Sequence, residues 1–206
     1  TVYRVPPQPG DKLGGLLAGR LRDFPKHETY QGIHSLVEAP KDGHIFITPS
    51  YQRRLIEFDP KTKQFINHEI GSGFYPHTVR IDQQDRVWFS LALSSRVAMF
   101  DRSSRRFSYY DLPPRGLKER LILWIAQWRL GSGKTRTPPE YDRDNNGFPM
   151  PYGIDIAPDG TVWVARLYAN DIARIDPATG KELERSGGYP LTRSQRRHEG
   201  TDERPR

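Results

Sequence analysis

The chain of 206 residues carries 32 Lys and Arg against 25 Asp and Glu, a formal net charge of +7, and no cysteine. Zero Cys excludes disulfides and thiolate metal sites without choosing a compartment. No apolar run approaches the roughly 18 residues of a membrane-spanning helix. Only 35% of residues are hydrophobic and mean hydropathy is −0.77, which suits thin apolar layers between small sheets.

Residues 1–30 open on Thr1-Val2-Tyr3-Arg4-Val5-Pro6, whose character returns in Ser108-Tyr109-Tyr110-Asp111-Leu112-Pro113. This reads as the closing strand of a preceding sheet unit, followed by a linker. Residues 31–75 hold four short β-branched or aromatic runs: His34–Val37, His44–Ile47, Arg54–Asp59 and Gln64–Ile70. Turn chemistry separates them. Pro40-Lys41-Asp42-Gly43 supplies a Gly for positive φ, and Asp59-Pro60-Lys61-Thr62-Lys63 sets Pro second in the turn. Short alternating runs between such turns are strands.

Residues 76–113 say the same thing again: His77–Asp82, Arg86–Ser90, Arg96–Asp101, Phe107–Leu112. Phe46 to Trp88 and Asp59 to Asp101 are both 42 residues. Repeats of about 40–45 residues with four short strands are propeller blades.

Residues 114–148 interrupt the pattern. Leu117, Leu121, Trp124, Ile125 and Trp128 make one helical stripe, stopped by Gly131, and a polar loop follows. Two motifs in that loop invite chemistry. Gly131-Ser132-Gly133-Lys134-Thr135 imitates the end of a P-loop, but it lacks the first Gly and follows a helix instead of a strand. Asp142, Asp144 and Asn146 before Gly147 match the first half of a calcium loop, with Gly153 where a bidentate Glu would close it. They form a partial calcium candidate, and a polar surface turn is the competing reading.

Residues 149–190 are the third copy: Tyr152–Ala157, Thr161–Ala165 and Asp171–Asp176, with Trp163 in the place of Trp88. Residues 191–206 turn Arg-rich and polar, and the sequence predicts disorder there. The fold class is therefore all-β: a β-propeller segment of about three four-stranded blades plus a stub, with an inserted helix and loop. Known propellers close with about four to eight blades. Three blades and a stub leave the ring incomplete, so missing blades or another chain are needed to close it.

The positive charge is scattered over turns (Arg53, Arg54, Arg105, Arg106) and the tail, where Glu199, Asp202 and Glu203 interrupt it. It reads as solvated surface and disfavours nucleic acid as partner. Of the two compartments, extracytoplasmic is favoured over cytoplasmic.

Pro76-His77-Thr78-Val79 leading to Val87-Trp88-Phe89-Ser90, and Pro151-Tyr152-Gly153-Ile154 leading to Thr161-Val162-Trp163, resemble the repeat of the virginiamycin B lyase (streptogramin B lyase) propellers. The phrase Tyr168–Asp176 is similar to the family's segment after the Trp. NHL-type and gluconolactonase-like propellers share this cadence. The resemblance implies a magnesium-assisted carbon–oxygen lyase that opens a cyclic depsipeptide by elimination. It implies His77 as base or metal ligand, because the family's working His follows Pro before the inner strand. Tyr75 and Tyr152 stand where that pattern places Glu and a further His, and they are ligand-binding candidates. No copy supplies the full His, Glu and metal set. The competing expectation is a non-catalytic propeller that binds a small molecule or protein partner through loops at one end.

Overall fold

The computed structural model describes residues 1–8, 11, 31–112, 117, 121, 150–167, 171–180 and, as backbone, 182–187. Twelve strands among them form three antiparallel sheets, each in simple chain order. Blade 1 comprises β1 (Ile33–Glu38), β2 (Ile45–Pro49), β3 (Arg54–Asp59) and β4 (Gln64–Glu69). Blade 2 comprises β5 (Pro76–Ile81), β6 (Arg86–Leu91), β7 (Arg96–Asp101) and β8 (Arg106–Asp111). Blade 3 comprises β9 (Met150–Ile156), β10 (Val162–Leu167), β11 (Asp171–Ile175) and β12 (Glu182–Gly187). The first strands meet, β1 against β5 and β5 against β9, so they line a common axis. This is a partial all-β propeller.

The repeat dictates its turns. Gly43, Asp85 and Gly160 stand at one repeat position, and all have positive φ. Lys63, Arg105 and Gly180 share a second such position, so the backbone takes the left-handed turn even where no Gly is supplied. The repeated Asp is the cause. Asp59, Asp101 and Asp176 accept from the main-chain N–H two residues on, at 2.8, 2.9 and 2.8 Å. Hydrogen bonds from Ser103 and Ser104 pull the Asp101 carboxyl down to about 2.

Packing between blades explains the strand composition. One layer joins blade 1 (Phe46, Leu55) to blade 2 (Val79, Val87, Phe89, Ala98, Phe100), and a second joins blade 2 (Trp88, Val97, Met99) to blade 3 (Ile154, Val162, Val164, Ala173, Ile175). The middle blade is covered on both faces, so Val97-Ala98-Met99-Phe100 is a continuous buried run. In blade 3 the strand β10 alternates instead, which leaves one of its faces uncovered. Blade 1's remaining face buries Ile47, Ile56 and Phe58 with Val5 against it, and Tyr3 lies 4.9 Å from Phe58, ring to ring. Tyr110 and Leu112 meet the blade 2–blade 3 layer in the same manner.

Hydroxyl groups fasten neighbouring blades near the axis. Thr48 Oγ1 donates to the His77 carbonyl, and Ser90 Oγ, 42 residues later in the repeat, donates to the Tyr152 carbonyl at 2.9 Å. Ser50 Oγ adds a bond to the Pro76 carbonyl at 2.9 Å. Not all charge lies on the surface, and here the expectation from sequence needs correcting. Arg54 is buried, with its guanidinium on Asp11 at 2.5 and 3.0 Å and on Gln31 at 2.8 Å. Arg166 is buried against Asp171. A buried guanidinium needs such a partner, and each Asp sits where the chain can supply one.

Of the expected insertion, Leu117 and Leu121 are helical and exposed. The rest of it, including Asp142, Asp144 and Asn146, and the Arg-rich tail lie outside the described residues.

Candidate functional site

The heads of β1, β5 and β9 bring His34, His77 and Tyr152 together at one end of the axis. His77 leads strand β5 directly after Pro76, and only 1% of it is exposed. Its ring is sandwiched: the His34 centroid is 3.4 Å away on one side and the Tyr152 centroid 3.5 Å away on another. Tyr75 lies nearly parallel to it at 6.0 Å, and Tyr51 meets Tyr75 edge-on at 5.6 Å. The result is a run of five rings from two Tyr loops to the third blade.

Backbone conformation sets these rings in place. Tyr75 has φ of +66°, a region that a bulky side chain enters only under constraint. The constraint is visible, since the Tyr75 carbonyl accepts the Ala92 N–H at 3.0 Å. Gly32 has φ of +63°, and a side chain there would run into the Tyr51 ring. A bulge between Ile33 and Ser35 then shifts the register of β1, in the stretch that carries His34.

The electrostatics favour neutral imidazole. Burial first, then the neighbouring His34, holds the His77 pKa down at about 4 from its ordinary 6.5, while the Tyr152 backbone pulls the other way. The covered part of His34 lowers its own pKa in turn. The two imidazoles, tilted 34° to one another, would repel if both were charged, which disfavours a proton on His77. His77 Nδ1 lies 3.2 Å from Thr78 Oγ1, while buried Nε2 has no hydrogen-bond partner of acceptable geometry. An unmatched polar atom in a buried place calls for a reason, and a ligand group is one.

This pKa has a consequence for folding. Depressed in the folded state, His77 contributes stability in full above about pH 6.5, and that contribution is lost as the pH falls toward 4. The span is worth about 3 kcal/mol. Urea unfolding of the wild type should show this loss between neutral and acid pH, and His77→Gln should flatten it. An equal slope in both proteins refutes the assignment.

The described histidines with carboxylate partners lie elsewhere. His44 and His68 hold the two oxygens of Glu57 at 2.6 and 2.8 Å, in the contact between blades 1 and 2. Burial raises the Glu57 pKa, but hydrogen bonds from His68 and His44 outweigh it and leave the carboxyl low. These are structural pairs.

Sequence reasoning named His77, Tyr75 and Tyr152, and the structure brings all three to one place. It gave His34 no role, because His34 follows Ile33 instead of Pro and the loop after its strand is one residue longer than in the later copies. The signal was the turn glycine Gly32 two residues ahead of it. A magnesium ion is a hard cation that takes oxygen ligands, chiefly carboxylates. The described donors at this end are imidazole and phenol, no carboxylate acts on His77, and no group of three His, Asp or Glu among the described residues could hold a metal. The donor set does not fit magnesium.

No family model and no curated protein matches the chain in sequence. In structure it is similar to a streptogramin B lyase at 17% identity, over 84% of this chain and 44% of that one, with a TM-score of 0.56. It is also similar to catalytically inactive virginiamycin B lyase from Staphylococcus aureus with quinupristin, at 18% identity over 81% and 48%, TM-score 0.54. A third is the periplasmic gluconolactonase of Pseudomonas aeruginosa, at 16% identity over 75% and 40%, TM-score 0.51. This chain is a propeller segment. It spans less than half the length of each of these structures. At such identities the likeness fixes architecture and leaves the chemistry to the residues. No helix among the described residues is long and apolar enough to cross a membrane.

Proposed function

We propose that this segment is a ligand-binding propeller end, which holds a small ring-bearing or peptide-like molecule against His34, His77, Tyr75 and Tyr152 and performs no lyase step by itself. The sandwiched, neutral His77 carries this reading. A general base works best with a pKa near the operating pH, and one near 4 is a weak proton acceptor at neutrality. Neutral imidazole and phenol rings instead offer stacking faces and single hydrogen bonds. Any magnesium would need carboxylates from residues beyond those described. The periplasmic neighbour favours an extracytoplasmic setting.

A second reading has one observation behind it. His77 follows Pro76 at the head of an inner strand with Nε2 unmatched, the place that the lyase resemblance gives to the base. Quinupristin separates the two. Incubated with the chain and magnesium, it should quench tyrosine fluorescence without ring opening, and Tyr152→Ala should weaken binding about tenfold, the ~1.4 kcal/mol of a lost stacking partner. Ring opening that disappears in His77→Ala overturns the binding reading in favour of the lyase. Failure to bind at about millimolar concentration removes peptide-like ligands of this kind from the proposal.

A further inference from the structure

The connector from blade 1 to blade 2, residues 71–75, ends on Tyr75, and its two halves are tied down differently. Side chains hold the outer half. Arg53 Nη2 donates to the Gly71 carbonyl at 3.3 Å, Arg96 donates to the Ser72 hydroxyl, and the Ser72 N–H reaches the Tyr109 phenol oxygen at 3.3 Å. The inner half rests on a 3₁₀ turn, Ala92–Ser94, that follows β6 and buries Ala92 and Ser94. The Phe74 N–H donates to the Ser94 hydroxyl at 2.8 Å, and the Ala92 N–H donates to the Tyr75 carbonyl at 3.0 Å. Gly73, at φ of +96°, lies so close to Leu91 that any Cβ there would strike its side chain.

The turn is itself anchored. Ser95, left-handed at φ of +48°, accepts the Leu112 N–H at 2.9 Å and donates its hydroxyl to the Leu112 carbonyl at 3.2 Å. Leu112 in turn belongs to the apolar layer between blades 2 and 3. A packed blade therefore reaches, through the turn and the connector, to the Tyr75 ring that stands nearly parallel to His77. The Ser94 bond is the one link there that a side chain makes, since the Ala92–Tyr75 bond joins two main chains. A left-handed Tyr is unfavourable, and such strain persists only where the surroundings over-determine it. It collects at ligand clamps, where a ring set in place beforehand loses less freedom when the ligand arrives.

We propose that Ser94 is a positioning residue for the ligand at the axis. It does not touch that molecule. Its hydroxyl fixes the Phe74 N–H, and through it the left-handed backbone that lays Tyr75 beside His77. The inference rests on the ligand-binding reading above and adds to it a residue from the β6–β7 connection, which makes no ring contact of its own. Without the hydroxyl a buried N–H is left unmatched. The connector then gains by turning that N–H toward water, and Tyr75 moves with it.

A double-variant cycle on the full chain, with quinupristin binding read by calorimetry, tests it. Ser94→Ala and Tyr75→Gly should each weaken binding about tenfold. In the Tyr75→Gly background Ser94→Ala should add nothing further, because its whole effect passes through that ring. Urea midpoints keep folding apart from binding. Tyr75→Gly should unfold at a higher urea concentration than Tyr75→Ala, since glycine accepts the left-handed backbone, while the two bind alike. Affinity untouched by Ser94→Ala overturns the proposal and leaves the ligand-binding reading standing. Losses that simply add in the double variant, or equal midpoints for Tyr75→Gly and Tyr75→Ala, overturn it as well. A wild-type chain that does not bind quinupristin removes peptide-like ligands from the reading above, and this proposal falls with them.

Discussion

Asp171→Ala should lower the unfolding free energy by about 3–5 kcal/mol, the cost of leaving a buried guanidinium without its counter-ion. Both side chains of the Arg166–Asp171 pair have no exposed surface, and the contacts are bidentate at 2.7 and 2.5 Å. Arg166 Nη1 already lacks a partner, so nothing is in reserve when the carboxylate goes. The double variant Arg166→Met/Asp171→Leu should recover most of the loss, because matched apolar groups escape the desolvation cost of both ions. Arg174–Asp159 is the control within the same blade. Its two side chains are 28% and 53% exposed, and Asp159→Ala should move the urea midpoint far less than Asp171→Ala does. Urea midpoints followed by tryptophan fluorescence read all three. An Asp171→Ala effect no larger than that of Asp159→Ala would mean that water reaches the pair.

The architecture was legible because it is repeated. A period of 42 residues between Phe46 and Trp88 names a blade before any strand is assigned, and the Asp turns at 59, 101 and 176 mark the third hairpin of each copy. Pattern failed at the buried charges. Arg54 looks like a turn charge until Asp11, far off in sequence, makes it an interior group, and Arg166 shows its burial only once Asp171 faces it across the β10–β11 pair. The site divides in the same way. His77, Tyr75 and Tyr152 are visible as repeat positions in which the residue type has changed. His34 is the structural equivalent of His77 and Tyr152, with the same bulge at the head of its strand, but the β1–β2 turn is one residue longer than its later counterparts and puts it out of step in sequence. The depressed His77 pKa was beyond sequence altogether, since it follows from burial and from the neighbouring His34.

The same chain offers a second comparison between equivalent positions. Trp88 and Trp163 share a place in the repeat, which by itself would treat them alike. Trp88 is fully buried, packed against Tyr110 at 5.1 Å between centroids, with its N–H on Asp82 and the Arg86 guanidinium over its ring. Trp163 is half-buried on the outward face. Trp88→Ala should therefore cost about 3–5 kcal/mol, from lost transfer energy and the cavity left between blades 2 and 3. Trp163→Ala should cost about 1–2 kcal/mol, in proportion to the smaller area that it covers. Trp88→Phe isolates the polar contribution. It keeps an aromatic ring in the cavity but withdraws the hydrogen bond, and Asp82 retains Arg86 at 2.6 Å, so about 1–2 kcal/mol is expected. Denaturant midpoints with unchanged slopes would confirm that order. If Trp88→Ala and Trp163→Ala proved equally damaging, blade 3 would have to be covered on both faces.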